Sequence, residues 1–329
     1  TAKEKEVQFS KVGDQLVYFD LSVSEKIGVG KVKVTVSGNG QKATHEIEIG
    51  VRLPNPEINK TISAVVEPGK TWSTDYSPIG IKGTNKGAVE VSSIPPLNLE
   101  KRLGYLIRYP HGCIEQTTSA VFPQLYLNDL MKLTTDRKNE IQTNVTQALD
   151  KLRSFQLGSG GFAYWPGNME VSSWGTSYAG HFMIEAKQKG YLLPTGLYTD
   201  WLRYQAQTAN AWTPDHSQNR SIWQIRGNEL EQAYRLYTLA LAGKPAMGAM
   251  NRLKEQNNLQ EATKWRLAAA YALANRKSVA EGLIASLSTT GEENQVSYTY
   301  GSQTRDQAMI LESLHLIGNK IKGKQVMDE

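Results

Sequence analysis

From residue 7 to 53, apolar and polar residues alternate along the chain. The stretches Gln15-Leu16-Val17-Tyr18-Phe19-Asp20-Leu21, Lys31-Val32-Lys33-Val34-Thr35-Val36 and His45-Glu46-Ile47-Glu48-Ile49 carry the period of two that marks half-buried strands. Ser37-Gly38-Asn39-Gly40 predicts a hairpin turn between the last two. Three or four strands in about fifty residues cannot close a sandwich, so this segment reads as the end of a β-sandwich that starts upstream. Leu53-Pro54-Asn55-Pro56 is a linker. A second β stretch follows over 58–67, 73–81 and 87–92. It stops at Ile94-Pro95-Pro96, as a sheet would that is interrupted here and resumes elsewhere.

From Leu97 the period becomes helical. Helices are predicted over 98–108, 114–131, 136–156, 174–189, 195–209, 228–242, 246–256, 260–275, 278–287 and 304–318. Trp265, Ala268, Ala269, Ala272 and Leu273 share one helical face, and Arg305-Asp306-Gln307-Ala308-Met309-Ile310-Leu311 followed by Leu314 carries the same pattern. Gly190, Gly243 and Gly318 stand where C-caps belong, and Pro194 and Pro245 stand near first-turn positions. Ten helices with short joints predict an α/α array of hairpins. Two Gly/aromatic stretches interrupt it, Gln156 to Gly167 and Ser297 to Ser302. Both read as loops pinned by burial of Trp and Phe in preference to ligand sites.

Composition narrows the function classes. With 40% hydrophobic and 21% charged residues, the chain has an ordinary globular make-up. The net charge of +5 is spread along the chain, which argues against a nucleic-acid patch. There is no signal peptide and no apolar run of transmembrane length. The chain opens Thr1-Ala2-Lys3, which suggests a piece of a longer protein.

The only cysteine, Cys113, lies at the mouth of a predicted helix in Tyr109-Pro110-His111-Gly112-Cys113-Ile114-Glu115-Gln116. Three readings are open. A free cysteine is most often a small buried hydrophobe. A helix N-terminus also lowers a thiol pKa, which suits a catalytic thiolate. His111 at i−2 does not face it, so a papain-like dyad would need His181, His216 or His315 brought in by the fold. The third reading uses Gln116, which shares the first helical turn with Cys113 at i, i+3. Sulfur attack on the carboxamide with loss of ammonia would close an internal thioester, an acylating centre that survives only where water is excluded.

Gly112-Cys113-Ile114-Glu115-Gln116 resembles the Gly-Cys-x-Glu-Gln thioester signature of the alpha-2-macroglobulin and complement family. Gly, Glu and Gln at these spacings about one cysteine arise by chance roughly once in several thousand cases. Tyr109-Pro110, the segment Gly160 to Gly167, Ser172 to Ala179 with His181-Phe182, and Tyr300-Gly301-Ser302 with Arg305-Asp306 resemble the bacterial branch. The resemblance implies a multidomain, mainly α chain with an α/α toroid preceded by β-sandwich segments. Residues 1–53 would end a macroglobulin-like sandwich, 54–97 would begin a CUB-like domain, and 98–329 would form an incomplete toroid thioester domain. Ten helices fall short of the six hairpins of a complete toroid, unless two have been merged or missed.

The resemblance further implies a broad-spectrum endopeptidase inhibitor and not an enzyme. A protease cuts a bait region, the protein collapses, and a protease lysine amine is acylated by the exposed thioester. Cys113 would be the leaving thiolate and Gln116 the acyl donor. Glu115 belongs to the motif, but its charge is better explained by a favourable helix N-terminal position than by catalysis. Complement relatives relay the acyl group through a downstream histidine, a role open to His216, which reads equally as a solvated loop residue. Tyr109, Tyr164, Trp165 and Tyr298 are candidate aromatic covers for the thioester. No bait region is recognisable, and neither a metal nor a cofactor is implied. The implied partners are target proteases, the implied location the periplasm or cell envelope, and the parent protein is open to membrane anchoring.

Two other classes compete. Terpene cyclases and protein prenyltransferases share α/α toroids and Gln-x-Gly-Gly-Phe-like segments, so the helices and Gln156 to Phe162 do not discriminate. No Asp-rich diphosphate motif occurs, and the cysteine stands beside Glu-Gln instead of in an Asp/Cys/His zinc set. The third class is a binding scaffold in which Cys113 is buried and inert.

Overall fold

A computed structural model describes residues 4–24, 27–52, 58–80, 83–89, 91, 99–214, 222–290 and 301–328. The chain divides into two compact units, Thr1–Glu90 and Val91–Glu329. It is mainly helical, with one small sheet among the described residues.

In the first unit, β1 (Gly28–Gly38) pairs antiparallel with β2 (Gln41–Val51), with Val34 opposite His45 and Gly38 opposite Gln41. Asn39 and Gly40 both have positive φ, at 48° and 74°, which is the left-handed pair of a two-residue hairpin turn. The predicted hairpin is therefore present. The strands predicted over 15–21, 58–67, 73–81 and 87–92 do not form in the described residues. A strand needs a neighbour for its backbone N–H and C=O groups and a second layer for its apolar face. Neither is supplied here: Leu16, Val65 and Val89 are exposed, and Val36 and Ile49 on the hairpin are exposed as well. The alternating pattern marks residues suited to a sheet face, and it does not supply the partner layer.

The second unit is helix packed on helix. Its elements are α1 (Leu99–Leu106), α2 (Ile114–Val121), a 3-10 turn (Pro123–Leu125), α3 (Leu127–Leu130), α4 (Thr135–Leu152), α5 (Ser173–Gln188), α6 (Leu197–Ala211), α7 (Ile222–Leu241), α8 (Met247–Lys254), α9 (Glu261–Leu273), α10 (Lys277–Ile284), α11 (Gln303–Ile317) and α12 (Lys320–Asp328). Short polar caps start several of them: the side-chain oxygens of Thr134, Ser172 and Ser302 accept from the N–H groups of Arg137, Gly175 and Arg305. Gly190, Gly243 and Gly318 take φ of 91°, 71° and 92° at the far ends, as their placement predicts. The single helix predicted over 114–131 is broken. Pro123 has no N–H to give Ser119, so the chain tightens into the 3-10 turn before α3 resumes. α12 escapes the pattern, because Lys-Ile-Lys-Gly-Lys offers little apolar periodicity.

Two clusters make the core. One joins α2, α4, α5 and α6 through Ile114, Val145, Leu149, Leu152, Phe182 and Trp201. The other joins α7, α9 and α11 through Leu236, Tyr237, Trp265, Leu267, Ile310 and Leu314. α9 is buried on nearly every side, Ala268 to Ala272 included, so the predicted apolar stripe is only part of its contact surface. α7 packs between α5 and α9, and so connects the two clusters. No described helix is long and apolar enough to cross a membrane.

Candidate thioester site

Gly112 sets the entry to α2. Its φ of +85° lies in the left-handed region, and a Cβ there would meet Gln116 Oε1 at 2.0 Å and Cδ at 2.9 Å. Glycine at this position thus lets the Gln116 carboxamide lie back over the backbone. Cys113 occupies the N-cap with φ −70° and ψ 177°, and only 1% of it is exposed. Its backbone N–H donates to Gln116 Oε1 at 3.2 Å. The Gln116 side chain thus reaches the backbone of Cys113 across one helical turn. Gln116 itself is exposed, so the pair has one buried and one open side.

The neighbouring amides are also engaged. Ile114 N–H donates to the Tyr164 carbonyl at 3.1 Å, and Thr117 N–H to the Cys113 carbonyl at 2.9 Å. Thr117 Oγ1 is 3.4 Å from the carbonyls of both His111 and Gly112. Ile114 is fully buried, and a Cβ on Gly175 would come within 2.7 Å of its Cγ2. Glu115 sits in the first turn of α2, where the helix dipole favours a carboxylate. It also accepts from Ser119 Oγ at 2.6 Å, and Ser119 lies 3.3 Å from the Tyr178 hydroxyl on α5. The Glu115 side chain thus joins α2 to α5.

The loop from Gln156 to Gly167 is tied to this site. Gln156 bridges to Phe162, and Ala163 to Val171. Gly160 has a φ of +97°, and a Cβ there would strike the Asp200 carbonyl oxygen at 2.2 Å. Phe162 is fully buried and pins the loop as expected, but Trp165 is 46% exposed and does not. Of the candidate aromatic covers, Tyr109 is 47% exposed with its ring on His111 at 4.4 Å, and Tyr164 stands at the site through its carbonyl. Tyr298 and His216 lie outside the described residues.

Neither described histidine proposed for a dyad is engaged with Cys113. His315 is exposed on α11. His181 is buried on α5 in a separate polar cluster that the sequence reading missed. Its Nδ1 is 3.1 Å from Tyr234 Oη and its Nε2 is 3.6 Å from Glu185 and 4.0 Å from Glu312. Tyr126 donates to Glu185, Tyr237 donates to Glu312 at 2.7 Å, and Arg266 pairs with Glu312 at 2.5 Å beneath the Tyr237 ring. Burial pushes the Tyr237 and Tyr234 hydroxyls far up, and the nearby Glu312 carboxylate adds to this. Burial alone would also raise Glu312, but Arg266, His181 and Tyr237 outweigh it and hold Glu312 below the usual carboxylate range. The cluster ties Tyr126, the N-cap of α3, to α5, α7, α9 and α11. Its members are spread from residue 126 to 312, so no local spacing announces them.

Lys151 also escaped the sequence reading. From the last turn of α4, its Nζ donates to the carbonyls of Pro110 at 3.2 Å and Gly112 at 3.3 Å.

The family model described as the A-macroglobulin TED domain matches residues 89–309, the region that holds this site. The chain belongs to the alpha-2-macroglobulin family. Among curated relatives, alpha-2-macroglobulin of Escherichia coli is 28% identical over 313 residues, 87% of this chain and 18% of that protein. Alpha-2-macroglobulin of Xylella fastidiosa is 26% identical over 322 residues, 91% of this chain and 19% of that protein. The chain thus spans about a fifth of the length of these alpha-2-macroglobulins. Among solved structures, Salmonella alpha-2-macroglobulin reacted with methylamine superposes with a TM-score of 0.61 at 25% identity, over 92% of this chain and 21% of that one. Native Escherichia coli alpha-2-macroglobulin superposes at 0.58 and 23% identity over 92% of this chain and 50% of that one, which concerns the fold alone. The trypsin-activated Escherichia coli form gives 0.59 at 23% identity, over 92% and 22%.

Proposed function

We propose that this chain is the reactive segment of a protease trap and acylates its targets through a Cys113–Gln116 thioester. The observation that carries the reading is the Cys113 N–H donated to Gln116 Oε1 beside the Cys113 thiol at the α2 N-terminus. Closure joins Cys113 Sγ to Gln116 Cδ and releases ammonia. An incoming amine then attacks Cδ from the exposed side of Gln116. Negative charge gathers on Oε1, where the Cys113 N–H and the positive end of α2 stabilise it. Collapse breaks the Cδ–Sγ bond, the electron pair leaves with sulfur, and the target is left as an amide of Gln116. The thioester is used once, so the protein inhibits and does not turn over.

The partners in this reading are proteases, acylated on lysine amines. Its support is chemical kinship: one relative is described as reacted with methylamine, and Escherichia coli alpha-2-macroglobulin as activated by trypsin and by porcine elastase. We place the parent protein in the periplasm or cell envelope and assign residues 1–53, 54–97 and 98–329 to macroglobulin-like, CUB-like and α/α-toroid thioester domains. The exposed hairpin faces fit strands that normally meet a further layer. His216 is retained as a candidate acyl relay.

Intact mass tests the reading. The native chain should be lighter than its sequence by one ammonia and show no alkylatable thiol. Methylamine should add one amine and release one thiol, and Cys113→Ala should do neither. A full sequence mass with a thiol that titrates from the start rejects the thioester.

A further inference from the structure

We propose that Lys151 is the positioning residue of this site: its ammonium fixes the Pro110–Gly112 bend and carries the positive charge that receives the Cys113 thiolate when an amine displaces it. This rests on the thioester reading above. Lys151 reaches back across about forty residues of chain to bind two carbonyls that flank His111. An ordinary surface lysine keeps its ammonium in water. This one is half-buried, with its Nζ 5.8 Å from the Phe155 ring centre and both bonds on the segment that delivers Cys113. An ammonium has three donors, so holding two carbonyls still permits the third to turn to sulfur.

Electrostatics agrees with the geometry. Burial lowers the Lys151 pKa, and the negative charge of a Cys113 thiolate pulls it back up, so the two groups sense one another. Two ionisable side chains of the motif segment have contacts of their own. The His111 ring lies on Tyr109, and the Glu115 carboxylate accepts from Ser119, which reaches Tyr178 on α5. Lys151 is therefore the cation placed to meet the leaving group. In aminolysis the nitrogen–Cδ bond forms, the Cδ–Sγ bond breaks, the pair stays on Sγ and the amine proton passes to solvent. Lys151 keeps all its protons and lowers the barrier by neutralising the charge on sulfur.

The test compares the whole chain with Lys151→Met, which keeps most of the stem, and Lys151→Arg, which keeps the charge. Two quantities are measured: the rate of methylamine-dependent thiol release, and the pH midpoint of Cys113 alkylation by iodoacetamide once the site is open. A nearby charge moves a thiol by about one pKa unit, so Lys151→Met should slow release about tenfold and raise the alkylation midpoint by about one pH unit. Lys151→Arg should recover most of both, and thermal melts check that each variant folds. Native and Lys151→Met proteins with equal release rates and equal midpoints overturn the proposal. A native chain that is light by one ammonia yet has a free thiol also overturns it, because Lys151 itself would then hold the Gln116 acyl group. A native chain of full mass instead defeats the thioester reading. The alkylation midpoints, measured on the free thiol, then decide the charge coupling alone, with equal values overturning it and a raised midpoint in Lys151→Met upholding it.

Discussion

A Cβ on residue 112 would sit 2.0 Å from Gln116 Oε1, so Gly112 and Gln116 share one volume at the entrance to α2. Gly112→Ala must both adopt a left-handed φ and expel the carboxamide. The backbone strain alone costs on the order of 1–3 kcal/mol. We expect a lower melting temperature and a smaller fraction of chains lacking one ammonia. Intact mass and a thermal melt on the same sample check both, and an unchanged ammonia deficit would contradict the shared-volume account.

Gly180 is the corresponding packing glycine in the core. A Cβ there would enter the Trp201 indole at 2.1 Å, in the middle of α5. Gly180→Ala should cost about 1–3 kcal/mol or more through displaced packing. Gly282, in the last turn of α10, faces open space. Gly282→Ala should stabilise by about 0.5–1 kcal/mol, because helix propensity is then the only change. Denaturant melts of the pair should move in opposite directions.

Arg266 and Glu312 form an ion pair in which the arginine side chain is 11% exposed and the glutamate 34%. Arg266→Met strands a partly shielded carboxylate. The cost should fall below the fully buried limit, at about 2–3 kcal/mol near neutral pH. Glu312 is held below its ordinary value of 4.5, so its contribution is present above that pH and is lost as pH falls through the lower folded value. The stability gap between native and variant should accordingly narrow on acidification below about pH 4.5. A gap independent of pH would remove Glu312 from the account.

Glu231 behaves in the opposite way. Burial raises its carboxyl from 4.5 to about 7, with Arg235 opposing the rise. The folded state then binds more protons than the unfolded state between these values, so stability declines as pH rises from 4.5 to about 7 and levels off above. Glu231→Gln should flatten this slope and melt higher than native at pH 8, by on the order of 1–2 kcal/mol once solvent access is discounted. Urea titrations at pH 5 and 8 measure the difference.

Much of the site was legible because it is local. Cys113 and Gln116 are one helical turn apart, and a one-turn relationship depends only on α2 forming where the apolar pattern places it. The same holds for the C-cap glycines Gly190, Gly243 and Gly318 and for the Asn39-Gly40 turn. The break at Pro123 was also present in the chain, as a residue without an N–H, and the longer apolar pattern concealed it. The strands predicted at 15–21 and 58–67 failed for the converse reason: alternation fits a residue to a sheet face, but a sheet exists only where another strand accepts its backbone.

The chain by itself determined how far apart the proposed reacting groups stand: a single thiol and a carboxamide three residues on, with a glycine just before the thiol. Only the tertiary structure decided what surrounds them. Lys151 reaches Pro110 and Gly112 across 41 and 39 residues, Tyr164 gives its carbonyl to Ile114 across fifty, and His181 is drawn away to Glu185 and Glu312. Such contacts follow from how helices pack, and packing depends on the summed burial of both core clusters, which no local spacing records.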